Sequence, residues 1–228
     1  MMKIVSMDTS NQALALALVE DGRLQAETLL AVKKNHSISL MPTLDFMMES
    51  VGWQPKDLDR IVVAQGPGSY TGLRVAVATA KTLAYALGSE LVGVSSLQAL
   101  LPRGLSGLVV PLIDARRNHV YAGCYENGRA VEEDAYWSFE DLLNRLKGRE
   151  NLTFVGEVEP FIQQIREVLP NADYQASQPS AYDMALVGQE LPAQEISSFE
   201  PRYLKKVEAE ENWLKNHEAG LESYIKRV

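Results

Sequence analysis

Two tight-turn signals set the frame for this chain. Asp21-Gly22 and Asn127-Gly128 stand 106 residues apart, and each is flanked by Glu before it and Arg after it. A two-residue type I′ hairpin needs positive φ at both central positions, and Asp-Gly and Asn-Gly reach it most readily. The apolar pattern around the turns repeats as well. Lys3–Asp8, Gln12–Glu20 and Arg23–Ala31 read as strands, His36–Val51 as a helix, Arg60–Ala64 as a buried strand and Gly72–Leu87 as a helix, with Leu91–Val94 closing the half. Leu108–Asp114, His119–Glu126 and Arg129–Ala135 then restart the order, followed by helix Ser138–Lys147, strand Leu152–Gly156 and helix Pro160–Leu169. Asp114 ends its strand as Asp8 does, again 106 residues on. The expectation is an α/β chain of two lobes, each a βββαβα unit, made by duplication at domain scale rather than by a short solenoid repeat. The lobes are expected at 1–104 and 105–210, meeting near Leu101–Gly107, where Pro102, Gly104 and Gly107 interrupt the pattern. A charged helix or tail is expected over 211–228.

Composition narrows the function. With 46% hydrophobic residues in 228, a packed interior is expected. No apolar run reaches membrane-spanning length, and Asp8 falls where a signal peptide would stay apolar. Cys124 is the single cysteine, so no internal disulfide can form; together these read as a cytoplasmic protein. A formal charge of -8 speaks against unaided RNA binding, because such binders neutralise phosphates with a basic face. The basic pairs here, Lys33-Lys34, Arg116-Arg117 and Lys205-Lys206, are local.

A duplicated βββαβα unit resembles the actin-like (ASKHA, ribonuclease H-like) superfamily of actin, sugar kinases and Hsp70. In that architecture nucleotide phosphates sit between the lobes against two hairpins, with an acid from each holding metal through water. Asp8-Thr9-Ser10 and Asp114-Ala115-Arg116-Arg117 occupy those places, yet neither carries a glycine where backbone must approach a phosphate. On residue types, Asp8 and Asp114 either serve such a site or simply end their strands. Gly66-Pro67-Gly68-Ser69-Tyr70-Thr71-Gly72-Leu73-Arg74 is neither a P-loop nor a dinucleotide fingerprint. Gly66 and Gly68 present backbone N–H groups to an anion in one reading. In the other the segment is a tight turn with Thr71 capping the next helix.

That segment, with Ala80-Lys81-Thr82-Leu83-Ala84, resembles the TsaB/YeaZ signature GPGSFTGLR…AKGLA, with Tyr70 for Phe and Thr82 for Gly. Pro201-Arg202-Tyr203-Leu204-Lys205 through Glu208-Ala209-Glu210 is similar to the family's closing motif, and the likeness runs from about residue 3 to 210. The resemblance implies an accessory, non-catalytic subunit in synthesis of tRNA N6-threonylcarbamoyladenosine at position 37. It would support a catalytic sibling, TsaD, together with a small ATPase, TsaE, and would form a homodimer when alone. tRNA would be met only through the complex. No cofactor of its own is implied; ATP with Mg²⁺ at the shared interface of the complex stays open. The sibling carries two metal-binding histidines at i and i+4 after the strand equivalent to Leu91–Val94, where Ser96 and Leu100 stand here, so no metal site is expected. The rival reading is an ATP-dependent enzyme or metallopeptidase that uses the interlobe cleft itself.

Helical periodicity points to a partner surface. The first helix sets Leu40, Leu44, Met47 and Val51 on one side and Ile38, Pro42 and Phe46 on the other. The second is uncharged on two faces: Leu73, Val77, Ala80, Ala84 and Leu87 form one stripe, and Val75, Ala78, Thr79, Thr82 and Ala86 the other. Small residues at four-residue spacing admit a close neighbour. The same two helices form the dimer surface in the family resembled.

Overall fold

The computed structural model describes residues 1–31 and 36–205. The first sheet has strands β1 (Lys3–Asp8), β2 (Leu14–Glu20), β3 (Arg23–Leu30), β4 (Arg60–Gly66) and β5 (Glu90–Ser95) in the order β3-β2-β1-β4-β5. The second has β6 (Leu108–Arg116), β7 (His119–Glu126), β8 (Arg129–Ser138), β9 (Leu152–Gly156) and β10 (Asp173–Ala176) in the order β10-β9-β6-β7-β8. Read from the hairpin side, the two orders are the same, and so are the senses of pairing: antiparallel through each hairpin, parallel beyond its first strand. The duplication is therefore three-dimensional. Both hairpin turns adopt the required backbone, with φ of 46° and 75° at Asp21 and Gly22 and 51° and 74° at Asn127 and Gly128.

Helices α1 (His36–Ser50) and α2 (Tyr70–Leu87) cover one face of the first sheet, burying Leu40, Leu44, Met47, Ala76, Val77, Ala80 and Ala84 against Val5, Met7, Leu16 and Ile61. Helices α3 (Phe139–Leu146) and α4 (Ile162–Val168) do the same for the second sheet through Phe139, Leu142, Leu146 and Ile165. Helix α4 is shorter than expected over Pro160–Leu169, because Glu159–Phe161 forms a separate 3₁₀ turn ahead of it. Helix α2 also differs at its start. Ser69, not Thr71, is the cap, its Oγ accepting from the Gly72 N–H at 3.3 Å.

Past β10 the chain leaves the second sheet. Helix α5 (Ala181–Glu190) packs Ala181, Met184 and Ala185 on the far face of the first sheet, against Ile4, Ala17, Val62 and Val92. The expected lobe at 105–210 therefore gives its last described segment back to the first. This also explains why β1, β2 and β4 are apolar runs rather than alternating ones: both faces of their sheet are covered. Arg60 secures the return, its Nη1 donating to the carbonyls of Gly188, Gln189 and Leu191 at the end of α5. Residues 194–202 then run from β5 to the end of β4, the Gln194 N–H donating to the Leu91 carbonyl and the Arg202 N–H to that of Gln65, and rejoin the first core through Phe199. The 211–228 segment and the Glu208-Ala209-Glu210 motif lie outside the described residues, as do Lys33 and Lys34.

The lobes meet through an apolar cluster of Leu97, Leu100, Ile113 and Tyr125. Asp134 lies at its edge and is buried; its carboxylate accepts from Tyr125 Oη at 2.7 Å and from Ser95 Oγ at 2.5 Å. Ser95 belongs to the first sheet, Tyr125 and Asp134 to the second, so the carboxylate ties the two together.

Candidate functional site

The Gly66–Arg74 turn is shaped by what it touches. The Ser69 N–H donates to the Ser10 carbonyl at 2.6 Å, and Thr9 Oγ1 donates to the Gly72 carbonyl at 2.7 Å. A Cβ at Gly68 would lie 2.3 Å from the Ser10 carbonyl oxygen, and one at Gly72 only 1.9 Å from that of Thr9. These glycines let the turn lie directly on the end of β1. At Gly66 (φ 129°) the neighbour is the Arg202 carbonyl, so the closing Pro-Arg-Tyr motif packs on the same turn.

Beside the turn a cleft of about 800 Å³ opens between the lobes. Ser10, Asn11 and Gln12 line one wall with His36 and Ser37 of α1 and Gly68, Ser69 and Thr71 of the turn; Asp114, Ala115, Arg116, Tyr121 and Glu157 line the other. Asp8 and Thr9 lie behind the first wall, fully buried. Asp8 Oδ1 accepts from the Ser10 N–H at 2.6 Å, while Oδ2 has no hydrogen-bond partner among the described residues. Burial raises the Asp8 pKa above the ordinary carboxylate value, against the pull of Ser10 and His36. Asp114 reaches the cleft, accepting from the Arg116 N–H at 2.8 Å, and its own N–H donates to Glu157 Oε2 at 2.8 Å. Burial likewise raises Glu157, against the hydrogen bond it accepts from the Asp114 N–H.

A nucleotide with Mg²⁺ held by this chain alone fits these residues poorly. Asp8 is sealed from the cleft that a water-bridged ion would occupy, and both loops carry side chains where phosphate needs bare backbone. Ser96 and Leu100, which stand at the sibling's histidine positions, are both buried, and Leu100 belongs to the interlobe cluster. Among the described residues no three His, Cys, Asp or Glu side chains gather as a metal ion would require.

The helical face is bare. Ile38 is 66% exposed and Phe46 69%, with Pro42 between them exposed. On α2, Ala78, Thr82 and Ala86 are exposed, and Val75 and Thr79 are half-buried. Met41 and Tyr85, which sequence reading missed, extend the face; Tyr85 is 83% exposed. Each lies three residues from a predicted member, Ile38 or Thr82, a spacing that could have found it. The described chain does touch α2, along one edge of this face. Lys81 Nζ donates to the Phe199 carbonyl at 2.7 Å and Arg74 Nε to Tyr203 Oη at 3.2 Å.

Comparison with known proteins adds relatives to this geometry. The family model described as TsaD, tRNA N6-adenosine threonylcarbamoyltransferase, matches residues 30–216. The chain is 37% identical over 227 residues to the tRNA threonylcarbamoyladenosine biosynthesis protein TsaB of Bacillus subtilis, covering 94% of this chain and 99% of that one. A solved Pseudomonas aeruginosa structure, described as an uncharacterized protein with similarity to peptidase YeaZ, superposes with a TM-score of 0.76 at 26% identity, over 90% of this chain and 100% of that one. Component A of the (R)-2-hydroxyglutaryl-CoA dehydratase of Acidaminococcus fermentans shares the fold, with a TM-score of 0.52 at 12% identity over 82% of this chain and 96% of that one.

Proposed function

Because the chain belongs to the TsaB (YeaZ) family of tRNA threonylcarbamoyladenosine biosynthesis proteins, we propose that it is the non-catalytic docking subunit of that machinery. Its partner is a TsaD-like sibling that transfers the threonylcarbamoyl group to N6 of adenine 37, and a TsaE-like ATPase joins the pair. When alone, a second copy takes the sibling's place. The observation that carries this reading is the exposed face of α1 and α2, with Ile38, Phe46 and Tyr85 in water. Burying a large apolar side chain is worth about 1.5–3 kcal/mol, so three of them on one face favour a lasting contact. The buried Ser96 and Leu100 support the non-catalytic role, since neither can serve as an imidazole ligand. In this reading ATP and Mg²⁺ are held jointly with the partner, completing a cleft that this chain's own loops furnish poorly.

The test is co-purification with the sibling. Ala78→Glu places a carboxylate in the middle of the face, on an exposed position where the monomer tolerates it. An unpaired buried charge costs about 3 kcal/mol or more, so binding should weaken at least ~100-fold with the thermal midpoint unchanged. Normal binding by this variant would mean the face is wrongly assigned. The 800 Å³ cleft with Asp114 and Arg116 at its wall favours the rival, an ATP-dependent enzyme acting through that cleft. Calorimetry of the isolated chain with Mg-ATP separates the two, because micromolar binding supports the rival only.

A further inference from the structure

We propose that a strip of stacked aromatic and basic side chains, running from Arg74 to Arg116 across both lobes, is a direct contact surface for single-stranded RNA. It consists of two groups, joined through the backbone from Tyr203 to Lys205. The Arg74 guanidinium lies 4.2 Å over the Tyr70 ring, and Tyr70 stands 5.0 Å from Tyr203. Two residues on, Lys205 Nζ lies 5.2 Å over the Tyr136 ring, which stacks on His119 at 5.0 Å and 11°. Arg116 pairs with His119 across the β6–β7 hairpin, and its side chain is 80% exposed. Tyr70 and Tyr203 remain 39% and 40% exposed, so the rings are partly open to water rather than sealed in a core.

Alternating cations and ring faces match the chemistry of unpaired nucleotides. Bases stack on aromatic planes whatever their identity, while phosphates pair with the neighbouring charges. In a chain of net charge -8 this strip gathers three cations, Arg74, Lys205 and Arg116, beside its rings. That same net charge, with Asp114 beside Arg116, keeps unaided affinity low, which suits a surface that works within a complex. The placement agrees. Arg74 precedes Ala78 by one helical turn, so the strip borders the docking face, and RNA lying on it would pass along the seam with the partner.

The inference rests on the reading that this chain works in a complex acting on RNA, but it is tested without the partner. Fluorescence anisotropy of a labelled oligouridylate of about twelve nucleotides, within the usual site sizes, is measured against the full chain at low salt. Tyr136→Ala should weaken binding about 5- to 150-fold, the range for losing one stacking plane. Arg116→Gln should lower the log–log salt slope by about 0.7, the value for one single-strand phosphate contact. Lys205→Gln provides a second charge variant if Tyr136→Ala alters folding. Phe46→Ala, which strips an apolar anchor from the docking face and adds no charge, should bind the RNA as the wild type does, so the two assignments fail separately. An unbound wild type, or binding indifferent to Tyr136, Lys205 and Arg116, overturns the proposal. Tighter capture of polyglutamate than of RNA also overturns it.

Discussion

Tyr125→Phe probes the tie between the lobes with the least disturbance. The ring is 2% exposed and packs with Leu97, Leu100 and Ile113, and phenylalanine keeps all of that. Only the hydroxyl is lost, the one that donates to Asp134 Oδ1 at 2.7 Å. Burial pushes the phenol far above its ordinary pKa, so it stays a donor across the working range. Asp134 is buried, and its other oxygen depends on Ser95 Oγ at 2.5 Å. Hydrogen bonds to a charged group are worth about 1.5–3 kcal/mol. For a chain of this size each kcal/mol moves the midpoint by about 2–4 °C, so the variant should melt about 3–12 °C lower. Thermal unfolding followed by circular dichroism reads this directly. Ser95→Ala should couple to Tyr125→Phe by roughly 0.5–3 kcal/mol in a double-mutant cycle, because both hydroxyls serve one carboxylate. A Tyr125→Phe midpoint within about 1 °C of wild type would refute the assignment.

Two further outcomes follow from the site. Gly72→Ala should destabilise by about 1–3 kcal/mol in urea titration, since its Cβ would meet the Thr9 carbonyl oxygen at 1.9 Å, a backbone atom that cannot swing aside. The sign is diagnostic: alanine inside an unobstructed helix would gain about 1 kcal/mol over glycine, so a stabilised variant contradicts the contact. Asp8 has a raised folded pKa, mainly from burial, so the native state holds its proton to higher pH than the unfolded chain. Stability from this group is full below the unfolded value of 3.8 and is lost as pH rises through the folded one. Asp8→Asn should therefore flatten the fall in unfolding free energy above that pH; an unchanged slope would mean Asp8 is not the group responsible.

The hairpins, their 106-residue spacing and the strands they join could be read from the chain because their determinants are local: positive φ at two adjacent residues, then apolar runs. The bare face of α1 and α2 was legible for the same reason, since a helix repeats its sides every few residues. What escaped depends on distant pieces. Strand β10 is four residues long and mostly exposed, so it carries little hydrophobic signal. Helix α5 did have one, Ser180 with Asp183 three residues on; the Ser180 hydroxyl accepts from the Asp183 N–H. Its docking on the first sheet had none, because it depends on the covered far face of β2 and β4. The cap of α2 was misplaced because Ser69 and Thr71 are both good capping types, and only the backbone path shows which one faces the Gly72 N–H. The Ser95–Tyr125–Asp134 tie joins residues 30 and 39 positions apart along the chain, and each looks ordinary alone.

The return of α5 to the opening sheet has a consequence for synthesis. The half of the protein translated first cannot be finished first: a ribosome that has released residues 1–176 has delivered every strand of both sheets, yet one side of the earlier sheet still lacks its lid. The later sheet is complete ahead of the earlier one's cover, and Ile4, Ala17 and Val62 stay open to aggregation until α5 emerges. A stop codon near residue 180 would thus cripple the end of the protein furthest from it.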